Sequence, residues 1–315
     1  MAPWQDLARD EMDSDLAILD YLELYNSTVG CAQALGLSQS SCSRRYRAFS
    51  DQLGLEFDRV DGRYQCMANK DVVAGLRLAY QKLRLSRLRL RLCLGWQLGA
   101  LEPSHWDGLG VPMGLRPMDS WKLLSLLEKR LVDVAVMGLL EFDRLMQNKT
   151  SSRGTKRIPL SATMLCIPTC EWSLHLLSHQ DHPLQGYGDT AQDDLAQYPS
   201  PSLPIGMAPV LMAALQNHGL ASVPCGLSSY EEARWEGTAS DGISLSYGAP
   251  HQLEGLRERY QLVPLPYDLQ IRECLGVVGH RDVLVDGRFP AYLKTLLLQL
   301  HALLGPERPG LQWLA

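Results

Sequence analysis

Nowhere in these 315 residues is there a CxxC pair, a P-loop, a GxGxxG turn or a GxSxG elbow. The missing phosphate loops and nucleophile elbow, with no nucleophile beside an identifiable base, leave an enzyme without a positive argument. The eight cysteines (31, 42, 66, 93, 166, 170, 225 and 274) have no regular spacing. That argues against a zinc ribbon or a disulfide framework and for thiols in a reducing compartment. Apolar runs such as Val134–Leu140 fall far short of the roughly 20 residues that cross a bilayer. The first residues, Met1 to Asp6, carry an acid where an export signal carries bases. The expectation is a cytoplasmic chain with no membrane association. With 46% apolar and 21% charged residues, it has material for real cores, which excludes disorder.

Basic charge is also scarce: the formal net charge is −5. Phosphate affinity comes mainly from clustered Lys and Arg, so the total alone speaks against nucleic acid. The distribution says otherwise. Residues 1–25 carry −6, residues 26–91 carry +7 and residues 92–315 carry −6. Lys82, Arg84, Arg87, Arg89 and Arg91 contribute heavily to the basic segment, and by themselves they read as the solvated side of a helix.

The first seventy residues give that segment a shape. Asp15–Tyr25 places apolar residues at 16, 18, 19, 22, 24 and 25, the spacing of an amphipathic helix. Thr28–Leu35 is a short stretch rich in small residues, and Gly36 follows as a helix stop. Ser38 can cap a third helix running from Gln39 to Leu53, which Gly54 ends. Helix, tight turn and a helix opening with Ser, Gln and Arg form a helix-turn-helix. Cys42, Tyr46, Phe49 and Leu53 fall on its core side. Gln39, Ser43 and Arg44 lie in the first two turns, the part of a recognition helix that reaches the major groove, where Gln pairs with adenine and Arg with guanine or phosphate. Ser38 and Arg47 have plainer readings, as a cap and as a solvated charge.

The stretch from Asn26 to Phe57 resembles the winged helix-turn-helix of LysR-type transcriptional regulators. Ser27, Ala32, Leu35, Ser38, Gln39, Ser43, Arg44, Leu53, Gly54 and Phe57 match that pattern without gaps, while Thr28, Cys31 and Ser40 depart from its usual aromatic, Ala and Pro. The resemblance implies DNA contacts from Ser38, Gln39, Ser40, Ser43, Arg44 and Arg47, with Arg59 and Arg63 on the wing. Residues 71–87 read as a long amphipathic helix with Val72, Val73, Leu76, Leu78, Leu83, Leu85 and Leu88 on roughly one side, serving either an intramolecular core or a dimer coil. In the family such a helix pairs two subunits, which implies a homodimer or homotetramer on a pseudo-palindromic duplex.

From Leu88 the pattern alternates like a strand, followed by a helix at 120–131 and an apolar strand at 132–137, the order of a parallel α/β unit. Further strands are expected at 162–167, 221–224, 242–246, 262–264 and 275–278, and helices at 210–218, 228–237 and 290–304. Tyr198–Pro204 reads as a Pro/Ser hinge. Leu131–Val136, His182-Pro-Leu, Gly242-Ile-Ser-Leu and Leu262–Pro266 resemble the family's effector-binding domain, a two-lobed fold like periplasmic binding proteins. The expected architecture is therefore α/β overall. It comprises a winged helix-turn-helix (1–66), a linker helix (67–88) and a two-lobed α/β effector domain (89–315; lobe I 89–163 and 266–315, lobe II 164–265).

The resemblance implies a small-molecule effector in the interlobe cleft, held by Gln97, Ser120, Gly138, Ser228 and Ser229, and RNA polymerase as a partner if the chain activates. Ser120, Ser228 and Ser229 also stand at expected helix N-termini, which attract carboxylates, although each can equally be a cap. No other cofactor is expected. His175 and His179 at i, i+4, with His182, suggest a metal site, but their stretch is polar and broken by Pro183. Cys166 and Cys170 read as buried thiols rather than a redox pair. The competing reading is a two-lobed α/β small-molecule-binding protein or enzyme with an accessory helical head.

Overall fold

Two serines and two glycines punctuate the N-terminal helices. In the computed structural model, Ser27 accepts a hydrogen bond from the Gly30 amide at 2.8 Å and so caps one helix. Ser38 accepts from the Ser41 amide at 3.1 Å and caps the next. Gly36 and Gly54 end these helices at φ 65° and 61°, the left-handed region where a side chain is costly. The structure describes residues 15–60, 63–98, 109, 111–112, 120–143, 157–186, 191–204, 206–224, 232–305 and 310–314.

The head contains α1 (Asp15–Tyr25), α2 (Thr28–Leu35), α3 (Gln39–Leu53) and an antiparallel hairpin of β1 (Glu56–Val60) and β2 (Arg63–Ala68). Ala17, Ile18, Cys31, Ala32, Leu35 and Cys42 form one buried cluster, so the small residues of α2 do let its neighbours approach closely. Leu16, Leu19, Leu55 and Val73 form a second cluster, onto which Tyr46, Phe49 and Leu53 pack. The long helix α4 (Lys70–Ser86) then leads out of the head.

Beyond it come β3 (Arg91–Leu94), a single helical turn at 96–98, β4 (Val111–Pro112), α5 (Ser120–Glu128) and β5 (Val134–Gly138). β3 pairs in parallel with both β4 and β5, the expected α/β unit. A short parallel pair, β6 (Phe142–Asp143) and β7 (Ile158–Pro159), precedes the sixteen-residue β8 (Met164–His179). α6 (Gln192–Leu195), β9 (Pro199–Ser202), α7 (Pro209–Asn217), β10 (Ala221–Pro224), α8 (Glu232–Ala239), β11 (Leu245–Gly248) and α9 (Leu253–Tyr260) follow. The nineteen-residue β12 (Leu262–His280), α10 (Arg281–Leu284), α11 (Phe289–Leu304) and β13 (Leu311–Trp313) complete the described chain.

The main sheet runs β11-β8-β12-β5-β3-β4, with β13 also on β8. At about 3.3 Å per residue, the nineteen residues of β12 have an extended length of up to roughly 60 Å, more than one small core can hold. It and its antiparallel partner β8 cross from one lobe to the other. One core gathers around Leu92, Val136, Trp172, Leu275, Val277, Phe289 and Leu296; the other gathers around Leu176, Leu211, Leu215, Trp235, Tyr247 and Leu269.

Several sequence expectations need correction. The strands expected at 162–167, 262–264 and 275–278 are parts of β8 and β12. Pro168, Pro264, Pro266 and the charges at 268–273 interrupt the apolar pattern without ending the pairing, which slips in register between Pro264 and Asp268 and again before Arg272. The Pro/Ser hinge is instead β9, a strand in a two-stranded parallel sheet, where an open edge tolerates proline. The seam of α4 is also different: its buried side carries Val73, Arg77, Gln81, Arg84 and Leu85, while Val72, Leu83 and Leu88 are exposed.

That polar burial locks head to lobe. Asp20 of α1 accepts from Arg77 Nε at 2.7 Å and from Arg91 Nη1 at 2.5 Å, and Glu23 accepts from Arg77 Nη2 at 2.7 Å. Asp133, just before β5, accepts from Arg84 Nε at 2.6 Å, from Gln81 at 2.9 Å and from the Arg91 amide at 2.8 Å. Leu24 packs into the lobe core formed by Leu123, Leu127, Leu131 and Met137. Arg77, Arg84 and Arg91 are therefore interior partners of acids rather than part of a surface footprint, and the +7 of residues 26–91 overstates the basic charge facing solvent.

Candidate functional site

Burial along α3 divides its residues by face. Cys42 is buried, and Tyr46, Phe49 and Leu53 pack inward. Gln39, Ser40, Arg44 and Arg47 are exposed and Ser43 is half-exposed. Positions 39, 40, 43, 44 and 47 follow helical spacing, so they form one outward stripe over the first three turns. Arg45 is turned the other way, bridged to Asp15 at 2.8 Å. Gln39 donates to the Thr28 hydroxyl at 3.1 Å, which orients its amide beside the N-terminus of α2. Ser38 has its cap role and also contacts the Ser40 and Ser41 hydroxyls.

On the wing, Arg59 is exposed and tethered. Arg59 donates from Nη2 to the Asn26 carbonyl at 3.1 Å, and its guanidinium lies over the Tyr64 ring at 4.9 Å. These contacts hold it against the head. Arg63 opens β2, and its side chain lies outside the described residues.

Between the lobes, Trp96, Trp172, Leu211, Trp235, Tyr247 and Glu273 are among the residues around a cavity of about 20 Å³, room for one water. Trp235 and Tyr247 meet edge to face with centroids 5.1 Å apart. The other acid in the wall is Glu236, and no Lys, Arg or His lines this cavity among the described residues.

Two carboxylates staple this region. Glu273 is buried and accepts from the Leu139, Leu140 and Cys274 amides, each at 3.0 Å. Burial pushes its pKa up to about 7, the three amides oppose this, and the nearby Glu141 charge adds to the rise. Glu141 accepts from the Val210 and Leu211 amides at 2.9 and 3.0 Å, so an internal carboxylate fills the N-terminus of α7. Burial raises it too, against those two amides and Arg157.

Two of the five expected effector residues fall among those whose side chains the structure describes. Ser120 opens α5 and is buried, and Gly138 ends β5, but neither lines the cavity. The amides just after Gly138 are taken by Glu273. The Gln97 side chain, Ser228 and Ser229 lie outside the described residues. Sequence reasoning missed Glu141, Glu273 and the indole wall. It also missed the ion network, whose signal was the seven-residue spacing of Arg77, Arg84 and Arg91 opposite Asp20 and Glu23 on α1.

The histidine metal site does not assemble. His175 and His179 lie on β8, so four residues is not a helical turn; His179 contacts Gln261, while His182 contacts the Ile243 carbonyl and the Leu184 amide. Among the described residues no group of three His, Cys, Asp or Glu is placed to hold a metal. Cys166 and Cys170 lie on β8; burial pushes the Cys170 thiol up to about 12. Among the described residues no helix is long and apolar enough to cross a membrane.

A helix-turn-helix head with a two-stranded wing, a long helix and a two-lobed α/β domain make up the described chain, and solved transcriptional regulators share this fold. In particular, the chain is similar to a probable transcriptional regulator of Pseudomonas aeruginosa, at 19% identity over 92% of this chain and 96% of that one, with a TM-score of 0.56. It is similar to full-length OxyR of the same organism at 14% identity, over 91% and 93% of the two chains, with a TM-score of 0.55. For CbnR, a LysR family transcriptional regulator, the values are 13%, 89%, 97% and 0.51. These likenesses establish the shared fold. No protein-family model matches the sequence, and no curated protein matches it.

Proposed function

We propose that this chain is a sequence-specific DNA-binding transcriptional regulator of the LysR type, governed by a small-molecule effector between the lobes. One observation carries the reading: the outward stripe of Gln39, Ser40, Ser43, Arg44 and Arg47 lies on the helix that follows the tight turn, while the opposite face is core. Those residue types match base edges and phosphates of a major groove. The apolar outward side of α4, with Val72, Gly75, Ala79 and Leu83, supports a homodimer or larger assembly on a pseudo-palindromic duplex. Cytoplasm is the compartment such a role requires, and RNA polymerase is the partner if the chain activates.

The cleft adds a chemical preference. The cavity as it stands holds one water, so an effector enters only as the lobes part, and the indole-rich wall with two acids and no described base favours an uncharged or cationic one over a carboxylate. An effector acts only as far as it binds one lobe arrangement more tightly than another. No further cofactor and no catalytic step are part of this reading.

Selection from a pool of random duplexes, followed by titration of the selected site, tests it. Arg44→Ala should cost about 1–3 kcal/mol if it reads a base, or lower the salt slope by about one if it neutralises a phosphate. Gln39→Ala should relax preference at one base pair. Unchanged affinity, salt slope and sequence preference in both variants would sink the proposal.

A further inference from the structure

Within the helical head, Cys31 of α2 and Cys42 of α3 are buried, at 0% and 1% exposure, with their sulfur atoms 3.2 Å apart. The Cys42 thiol donates to the Cys31 sulfur, and the Cys31 thiol donates to the Ile18 carbonyl at 3.5 Å. Two thiols supply only half of a tetrahedral zinc site, and among the described residues no group of three His, Cys, Asp or Glu is placed to complete it. A disulfide needs about 2.05 Å, and the remaining gap of roughly 1.2 Å is within reach of side-chain rotation and a small helix shift.

We propose that Cys31 and Cys42 are a reversible thiol–disulfide site that hydrogen peroxide closes and a dithiol reopens. One thiolate attacks a peroxide oxygen, breaking the O–O bond, and leaves as sulfenic acid while the released hydroxide takes a proton to become water. The second sulfur attacks the sulfenic sulfur; the S–S bond forms, the S–O bond breaks and a second water departs with the remaining thiol proton. Two thiols are thereby oxidised by two electrons, and one peroxide is reduced to two waters. Burial pushes the Cys31 thiol above its ordinary range, so the reaction runs when α3 lifts from α2 rather than in the closed head. Closure then draws α3 toward α2 at the residue next to Ser43 and two before Arg44, displacing the outward stripe.

The test treats the reduced full chain with peroxide and maps disulfides by peptide mass, with and without a duplex selected as above. The expected result is a Cys31–Cys42 linkage that forms slowly, forms more slowly still on the bound duplex, and lowers duplex affinity about tenfold, the worth of roughly one base contact. Cys31→Ala and Cys42→Ala should bind when reduced and ignore peroxide. A linkage between other cysteines, no linkage, or a linkage that leaves affinity unchanged overturns the proposal. The effect on affinity rests on the DNA-binding reading, whereas the mapping does not: a reduced chain that selects no duplex refutes that reading and, with no affinity to lower, overturns the switch, even where the linkage itself is found.

Discussion

Replacing Asp20 by Asn tests whether the head is held on the lobe by charge. The carboxylate is fully buried and faces Arg77 and Arg91, themselves 5% and 2% exposed. Asn keeps the shape and removes the charge. Arg77 keeps Glu23, but Arg91 loses the carboxylate 2.5 Å away. Removing one member of a buried ion pair costs about 3–5 kcal/mol because the other charge stays desolvated. With Glu23 still present, the lower end, about 3 kcal/mol, is expected, a large part of the usual 5–15 kcal/mol of domain stability. Amide exchange along α1 reports it directly: a loss of that size speeds exchange about a hundredfold. Asp15→Asn is the control, since its bridge to Arg45 is half-exposed and worth at most about 1 kcal/mol. Burial alone would raise the Asp20 pKa, and Arg77 and Arg91 together hold it below the ordinary value. Its stabilisation is therefore present above the unfolded pKa near 4 and lost as pH falls through the lower folded value. Equal exchange in Asp20→Asn and Asp15→Asn would refute the reasoning.

Three further outcomes follow from the cleft and the turns. Glu273 has a folded pKa of about 7 against 4.5 unfolded, so the native chain binds the extra proton between those values and stability falls as pH rises through that window, by about 3 kcal/mol in all. Glu273→Gln should flatten that fall in urea titrations at pH 5 and 8, and an unchanged difference between the two pH values would contradict it. Glu141→Ala leaves the Val210 and Leu211 amides at the N-terminus of α7 without their acceptor and should cost about 1–3 kcal/mol in thermal unfolding; a neutral result would mean that water replaces the carboxylate freely. Gly54→Ala forces a side chain into φ 61° with its Cβ 3.0 Å from Asn69 Nδ2, and should destabilise the head by about 1 kcal/mol in the same measurement.

How much of this was legible depends on range. The head could be read almost residue by residue, because caps, glycine stops and the Cys42-Tyr46-Phe49-Leu53 spacing act within one or two helical turns. The lobes were legible as strand–helix–strand, yet β8 and β12 were cut short, since prolines and charges look like punctuation when the partner strand cannot be seen. Arg77, Arg84 and Arg91 were the largest misreading. Their charge is a local fact, but their burial depends on Asp20 more than fifty residues upstream and Asp133 more than forty residues downstream. Glu141 and Glu273 escaped for the same reason: a lone glutamate carries no sign of which distant amides it will accept.

The continuity of β8 and β12 has a mechanical consequence. Two lobes joined by loops can swing on slack, but here the same pair of strands runs unbroken through both, so each lobe is fixed to a common beam. The handover between the cores is abrupt: Leu269 and Ile271 are packed into one and Leu275 into the other, so within a few residues of Arg272 a single strand passes from the packing of one lobe to that of its neighbour, just where the ladder has slipped register.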